Sequence, residues 1–264
     1  MKYILAFSFF WSLVFLQFCK MTDARAQVDN DFCKAAEKGN VVELKQRIDK
    51  GANVNSIDHN GFTALYKASE NGHFNAVKLL IDKGVDLNKQ NPLGETALMI
   101  ASGRGYIEIV KLLVDKGASI HINDMMTGSN ALYHASIGGQ IEVVKYLVEK
   151  GMNVNEKDSR GGTALRVACM GHIQVVKYLV EKGAEINTKE NEEGTTPLMV
   201  ACDGGHIEVV KYLIEKGADF TVKDKWGRTA LKIAHDIVID KNRKLDKKRH
   251  QEVVQFLQSK GAKE

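Results

Sequence analysis

Residues 50–88 read KGANVNSIDHNGFTALYKASENGHFNAVKLLIDKGVDLN, and this stretch decides the fold. It begins and ends on one phrase: Lys50-Gly51-Ala52-Asn53-Val54-Asn55 returns as Lys83-Gly84-Val85-Asp86-Leu87-Asn88. The phrase comes back at Lys116-Gly117-Ala118, Lys150-Gly151-Met152-Asn153-Val154-Asn155, Lys182-Gly183-Ala184 and Lys216-Gly217-Ala218, with glycine steps of 33, 33, 34, 32 and 34. Lys260-Gly261-Ala262 closes the series after a longer step of 44. A second landmark keeps the same period: Thr63-Ala64-Leu65, Thr96-Ala97-Leu98, Asn130-Ala131-Leu132, Thr163-Ala164-Leu165, Thr196-Pro197-Leu198 and Thr229-Ala230-Leu231. Ahead of each stand Asp or Asn and then Gly, as in Asp58…Gly61, Asp158…Gly161 and Asn191…Gly194. Self-similarity at this period marks a stack of identical supersecondary units.

Elementary physics gives the unit its shape. Thr63 is suited to cap a helix carrying Ala64, Leu65 and Ala68 on one face. Gly72 ends that helix, and His73 opens a second whose apolar face is expected to be Phe74, Val77, Leu80 and Ile81, stopped by Gly84. Helices of eight or nine residues do not persist alone, so each pair depends on burying its faces against its neighbours. Asp58, Asn60 and Gly61 supply the turn chemistry between pairs.

On these residues the chain resembles the ankyrin repeat family: the period, the start similar to Thr-Pro-Leu-His, the Gly-His before the second apolar run and the closing Gly-Ala-Asp-Val-Asn-like phrase all match. The resemblance covers about residues 31–262. It implies an all-α ankyrin-repeat solenoid of stacked helix–turn–helix units with β-turn or hairpin tips, about seven repeats. The expected boundaries are a capping repeat at 27–57, repeats at 58–90, 91–123, 124–157, 158–189 and 190–223, and a capping repeat at 224–264. Departures exist. Only the sixth copy keeps Pro, at Pro197, and the family's fourth-position His is replaced by Tyr66, Met99, Tyr133, Arg166, Met199 and Lys232. The last copy carries about eleven extra, highly charged residues, Asp240 to Arg249 among them, expected to form a solvated loop or helix extension.

The chain's two ends and its composition bound the function. Met1-Lys2, an apolar run from Tyr3 to Cys19, and Ala24-Arg25-Ala26 form the pattern of a secretory leader over residues 1–26, cleaved before Gln27. The other reading is an uncleaved anchor. The leader carries Lys2, Lys20 and Arg25 against Asp23, so the formal charge of +4 falls to +2 without it. No electrostatic case for nucleic acid remains. With 44% hydrophobic and 27% charged residues the chain is globular, and 2 prolines exclude Pro-rich classes.

Chemistry-bearing residues do not converge. There is no nucleophile elbow, phosphate loop or Cys-x-x-Cys, so no catalytic residue, cofactor, metal site or small-molecule substrate is expected. His73, His172 and His206 share one register after the inter-helix glycine, where the resemblance implies a structural role against the turn backbone. His59, His121, His134, His235 and His250 fall in other registers. Cys169 and Cys202 occupy equivalent positions and are expected, with Cys33, to be small buried free thiols. Lys78, Lys111, Lys145, Lys177 and Lys211 recur on the second helices, with Glu108, Glu142 and Glu208 three residues earlier, close enough to pair.

The resemblance implies a concave face lined by turn tips and first helices. The candidate partner-binding residues by register are Phe62, Leu93, Arg104, Met125, Met126, Arg160, Met170, Glu192, Glu193 and Trp226. Apolar members on turns are costly to expose without a use, and aromatic, Met and Arg side chains are typical interface anchors. The chain is thus expected to be an exported, monomeric, non-enzymatic scaffold for another protein, periplasmic or secreted. Two alternatives stay open: a membrane-bound adaptor with an uncleaved leader, and a released effector acting on a host protein.

Overall fold

A computed structural model describes residues 27–190, 192–240 and 247–263. Residues 1–26 (expected to be a leader), Asn191, and residues 241–246 of the charged run lie outside the described residues. The chain divides into two compact units after Pro92.

Helices joined by turns make up the described residues, with isolated bridges instead of strands. In the first unit, residues 27–37 form α1, followed by α2 (Val41–Asp49), α3 (Ala64–Glu70) and α4 (Phe74–Asp82). The second unit holds α5 (Ala97–Arg104), α6 (Ile107–Asp115), α7 (Ala131–Ile137), α8 (Ile141–Glu149), α9 (Ala164–Ala168), α10 (Ile173–Glu181), α11 (Pro197–Asp203), α12 (Ile207–Glu215), α13 (Ala230–Ile239) and α14 (Lys247–Ser259). Odd- and even-numbered helices are the first and second helices of successive copies. In the second unit α5, α7, α9, α11 and α13 pack one on the next, and so do α6, α8, α10, α12 and α14.

Each first helix starts on its expected cap. The side chains of Thr63, Thr96, Asn130, Thr163, Thr196 and Thr229 accept from the backbone N–H three residues on, over 3.0–3.3 Å. The missing family histidine therefore leaves the N-cap intact. Tyr66, Met99 and Met199 are buried in its place, and the Met99 sulfur accepts from Thr96 N at 3.5 Å.

The cores repeat. Val175, Val176 and Leu179 of α10 and Val209, Val210 and Leu213 of α12 are buried, each large side chain contributing about 1.5–3 kcal/mol. In α4 the buried residues are Ala76, Val77 and Leu80, whereas Phe74 is exposed and Ile81 only half-buried. This corrects the expected apolar face. Phe74 is the first residue of α4 and turns to solvent, and the small Ala76 takes the inward place.

A strut joins copies on the inter-helix side. The His73 ring donates through Nε2 to the Glu37 carbonyl (2.8 Å) and His172 to that of Ile137 (3.0 Å), since a carbonyl can only accept. His250 does the same to Asp203 at 2.9 Å. The sequence reading put His250 in another register; the insertion ahead of α14 hid its equivalence. Gln140 fills the place in its copy, donating to Gly103 O at 3.3 Å.

Lys111, Lys145 and Lys211 pair with Glu108, Glu142 and Glu208 at 2.9–3.1 Å, as the spacing predicts. Cys33, Cys169 and Cys202 are free and buried. Burial foremost pushes the Cys33 thiol up to about 12, and those of Cys169 and Cys202 higher still. A chain starting at Gln27 is thus expected to leave a thiol reagent unreacted at neutral pH while native, and to expose all three thiols in denaturant. Rapid native labelling of any of them contradicts the packing.

Candidate functional site: the tip edge of the second unit

Four of the tips between copies are built on one aspartate each. Asp58 Oδ1 accepts from Asn60 N and Phe62 N, both at 2.9 Å. Asp158 Oδ1 takes Arg160 N and Gly162 N at 2.9 and 2.7 Å, and Asp224 Oδ1 takes Trp226 N and Arg228 N at 2.9 and 2.8 Å. Asp124 binds Met126 N, Thr127 N and Ser129 N in the same way. Burial works to raise the Asp124 and Asp224 carboxyls, but these donors outweigh it and hold both below the usual carboxylate range.

Neighbouring tips are then tied by backbone hydrogen bonds: Met125 N to Leu93 O (3.0 Å), Ser159 N to Thr127 O (2.8 Å) and Lys225 N to Glu193 O (2.8 Å). Gly94 permits the first of these. Its φ is +83°, and a Cβ there would fall 2.2 Å from Met125 N. The edge is therefore fixed before any partner arrives.

Copy six departs from the pattern. Its tip closes through Glu190, whose N–H and C=O pair with Thr195 at 2.9 and 3.0 Å, so Glu190 and not Asn191 holds the acidic place. The longer side chain reaches back to the preceding copy. It accepts from Thr163 N (3.1 Å) and Thr163 Oγ1 (2.6 Å), with Arg166 Nε at 3.8 Å. Glu190 is fully buried, and that burial raises its carboxyl above the usual range against the opposing pull of Thr163 and Arg166. Beside it, burial and then Asp158 raise the Tyr133 hydroxyl.

A cleft of about 770 Å³ lies over this cluster, lined by Tyr133, Arg160, Arg166, Lys189, Glu192 and Lys225 among others. It gathers Arg160, Glu192 and Glu193 from the expected partner-binding set, with Glu193 half-buried and 3.7 Å from Lys225. Leu93 (45% exposed), Met125 (72%) and Met126 (67%) form an apolar stretch on the tips of copies three and four. At copy seven Trp226 is 54% exposed, with Lys225 Nζ 4.4 Å and Arg228 Cζ 4.6 Å from its ring centre.

Three expected residues stand apart from this edge. Arg104 ends α5 and Met170 follows α9, so both sit at the far ends of the first helices, both exposed. Phe62, in the first unit, is half-buried rather than presented: its ring lies 4.9 Å from that of Tyr66, under the Lys67 ammonium at 4.6 Å. The register reading missed Glu190 and Lys189. Counting seven forward from Gly183, as from Gly51 to Asp58 or Gly151 to Asp158, finds Glu190, whereas counting five back from Thr196 lands on Asn191. Among the described residues no three His, Cys, Asp or Glu side chains converge as metal ligands, and no helix is long and apolar enough to cross a membrane.

Capped helix pairs, tied tips and no converging reactive groups define a repeat scaffold that presents a surface. Family models described as ankyrin repeats in three copies match residues 32–124 and 121–190, and one described as ankyrin repeats in many copies matches 179–234. The chain belongs to the ankyrin repeat family. Among solved structures it is similar to the human ASB11 ankyrin repeat domain, at 26% identity over 83% of this chain and 96% of that one, with a TM-score of 0.69. No curated protein matches the chain. Ankyrin repeats generally mediate protein–protein interaction, and nothing in the comparisons indicates an enzymatic family.

Proposed function

We propose that this chain is an exported, monomeric scaffold that grips another protein through the tip edge of its second unit. The observation that carries the reading is the exposed run Leu93, Met125 and Met126, fixed by the Met125–Leu93 backbone hydrogen bond. Exposed apolar side chains on rigid turns lose little entropy on binding and gain the full area they cover. Trp226, braced by two cations, supplies a second anchor on the tip of copy seven, and the charged cleft forms a polar rim. Export rests on the leader pattern of residues 1–26.

Met126→Ala and Trp226→Ala are each expected to weaken capture of the partner by over about 1 kcal/mol, with helical content unchanged. The check is a titration of each variant against the protein retained by residues 27–264 from the native envelope. Unaltered affinity in both removes the tip edge from the site. N-terminal sequencing that begins at Gln27 supports export with cleavage, and a retained leader favours the membrane-bound adaptor.

A further inference from the structure

Copy five is one residue short. Copy four reads Ala135-Ser136-Ile137-Gly138-Gly139-Gln140 and copy six Ala201-Cys202-Asp203-Gly204-Gly205-His206, but copy five reads Ala168-Cys169-Met170-Gly171-His172. The loss shows in the backbone. α9 has five residues where α7 and α11 have seven, and Gly171 sits at φ +118° where Gly139 and Gly205 sit at +68° and +66°.

The strut between copies five and six fails as a result. His73, Gln140, His172 and His250 each donate to a carbonyl of the preceding copy. For the His206 ring, among the described residues, no such hydrogen bond forms; the ring rests over Gly171 and Gly204. A cavity of about 510 Å³ opens beside it, lined by Gly171, Ile173, His206, Lys248, Arg249 and Glu252 among others.

We propose that the joint between copies five and six is acid-labile, and that His206 is the group that takes up the proton. His172 faces His206 from copy five. From α14 come Lys248, Arg249, His250 and Glu252, and from its own copy Glu208, held by Lys211 at 3.1 Å. Burial foremost, then Arg249, His172 and His250, keep His206 below the ordinary histidine value. The native joint therefore prefers the neutral ring. Its contribution to stability is present above about pH 6.5, the value in an unfolded chain, and is lost as the pH falls through the folded value. Glu190, whose carboxyl is raised, runs the other way: its contribution is lost as the pH rises from its unfolded toward its folded value. The difference between variants, not the wild-type slope alone, isolates His206.

The test compares wild-type residues 27–264 with His206→Gln, glutamine being the residue this chain uses at Gln140. Between about pH 7.5 and pH 5.5 the wild-type denaturation midpoint falls relative to that of H206Q. Each unit by which the folded pKa lies below the unfolded one is worth about tenfold in the folded-to-unfolded ratio. Over the same interval wild-type amide protection drops in α11–α14 while α7 and α8 keep theirs. Parallel pH curves for the two proteins overturn the proposal. So does a nuclear magnetic resonance titration placing the native His206 ring at or above the ordinary histidine value, and that titration decides alone if H206Q does not fold.

Discussion

Leu179→Ala lowers the stability of the second unit by about 3 kcal/mol, within the range of about 2–5 kcal/mol for deleting a fully buried leucine. Leu179 is wholly buried on α10, with Val175 and Val176 beside it. α10 packs on α8, α9 and α12, so its surroundings are held from three sides and cannot close over the gap. In an array whose copies owe their stability to their neighbours, the damage is not confined to one copy. A urea titration followed by helical signal checks this, and a loss under about 1 kcal/mol would show that copy five is not packed as described.

Gly138→Ala and Gly103→Ala have opposite signs, although the two glycines face one another. Gly138 has an ordinary φ of −79°, so alanine meets no backbone strain there. Its Cβ, however, would lie 2.3 Å from the Gly103 carbonyl oxygen, the oxygen that also accepts from Gln140. α5 and α7 must separate to admit it, at a cost of about 1–3 kcal/mol. At Gly103 the nearest atom to an added Cβ is His134 O at 3.5 Å, an ordinary contact. Alanine there removes a glycine from α5 and is expected to stabilise by about 0.5–1 kcal/mol. Thermal melts of the two variants, read against wild type, check both signs; two shifts in the same direction contradict the close approach of α5 and α7.

Much of this was legible in the sequence because a repeat writes each contact several times. The side-chain caps, the glycines ending the second helices, the three Lys–Glu pairs and the Cys169 and Cys202 pair of equivalent thiols stand at fixed offsets, so one physical reading serves each set. What escaped were departures from the average copy. Phe74 looks like a core residue by hydrophobicity, yet as the first residue of α4 it faces outward. His250 lost its register to the insertion before α14 and recovers it through its bond to Asp203 O. Glu190 was displaced by one residue, because copy six holds one more residue between this position and its cap Thr196, and its reach back to Thr163 shows only in three dimensions. Phe62 read as exposed because Tyr66 and Lys67, one turn on, cover it only in three dimensions. The 32-residue step at copy five is visible in the sequence, but the vacant strut at His206 is not.

Site-specific photocrosslinking tests the interaction surface most directly. A photoreactive side chain is placed at position 126 or 226 on the tips, and at position 111 or 145 on the second helices, in the chain expressed in its native cell. The tip edge as gripping surface predicts one discrete adduct with another protein from positions 126 and 226 and none from 111 and 145. Adducts from the second helices with silent tips would contradict it.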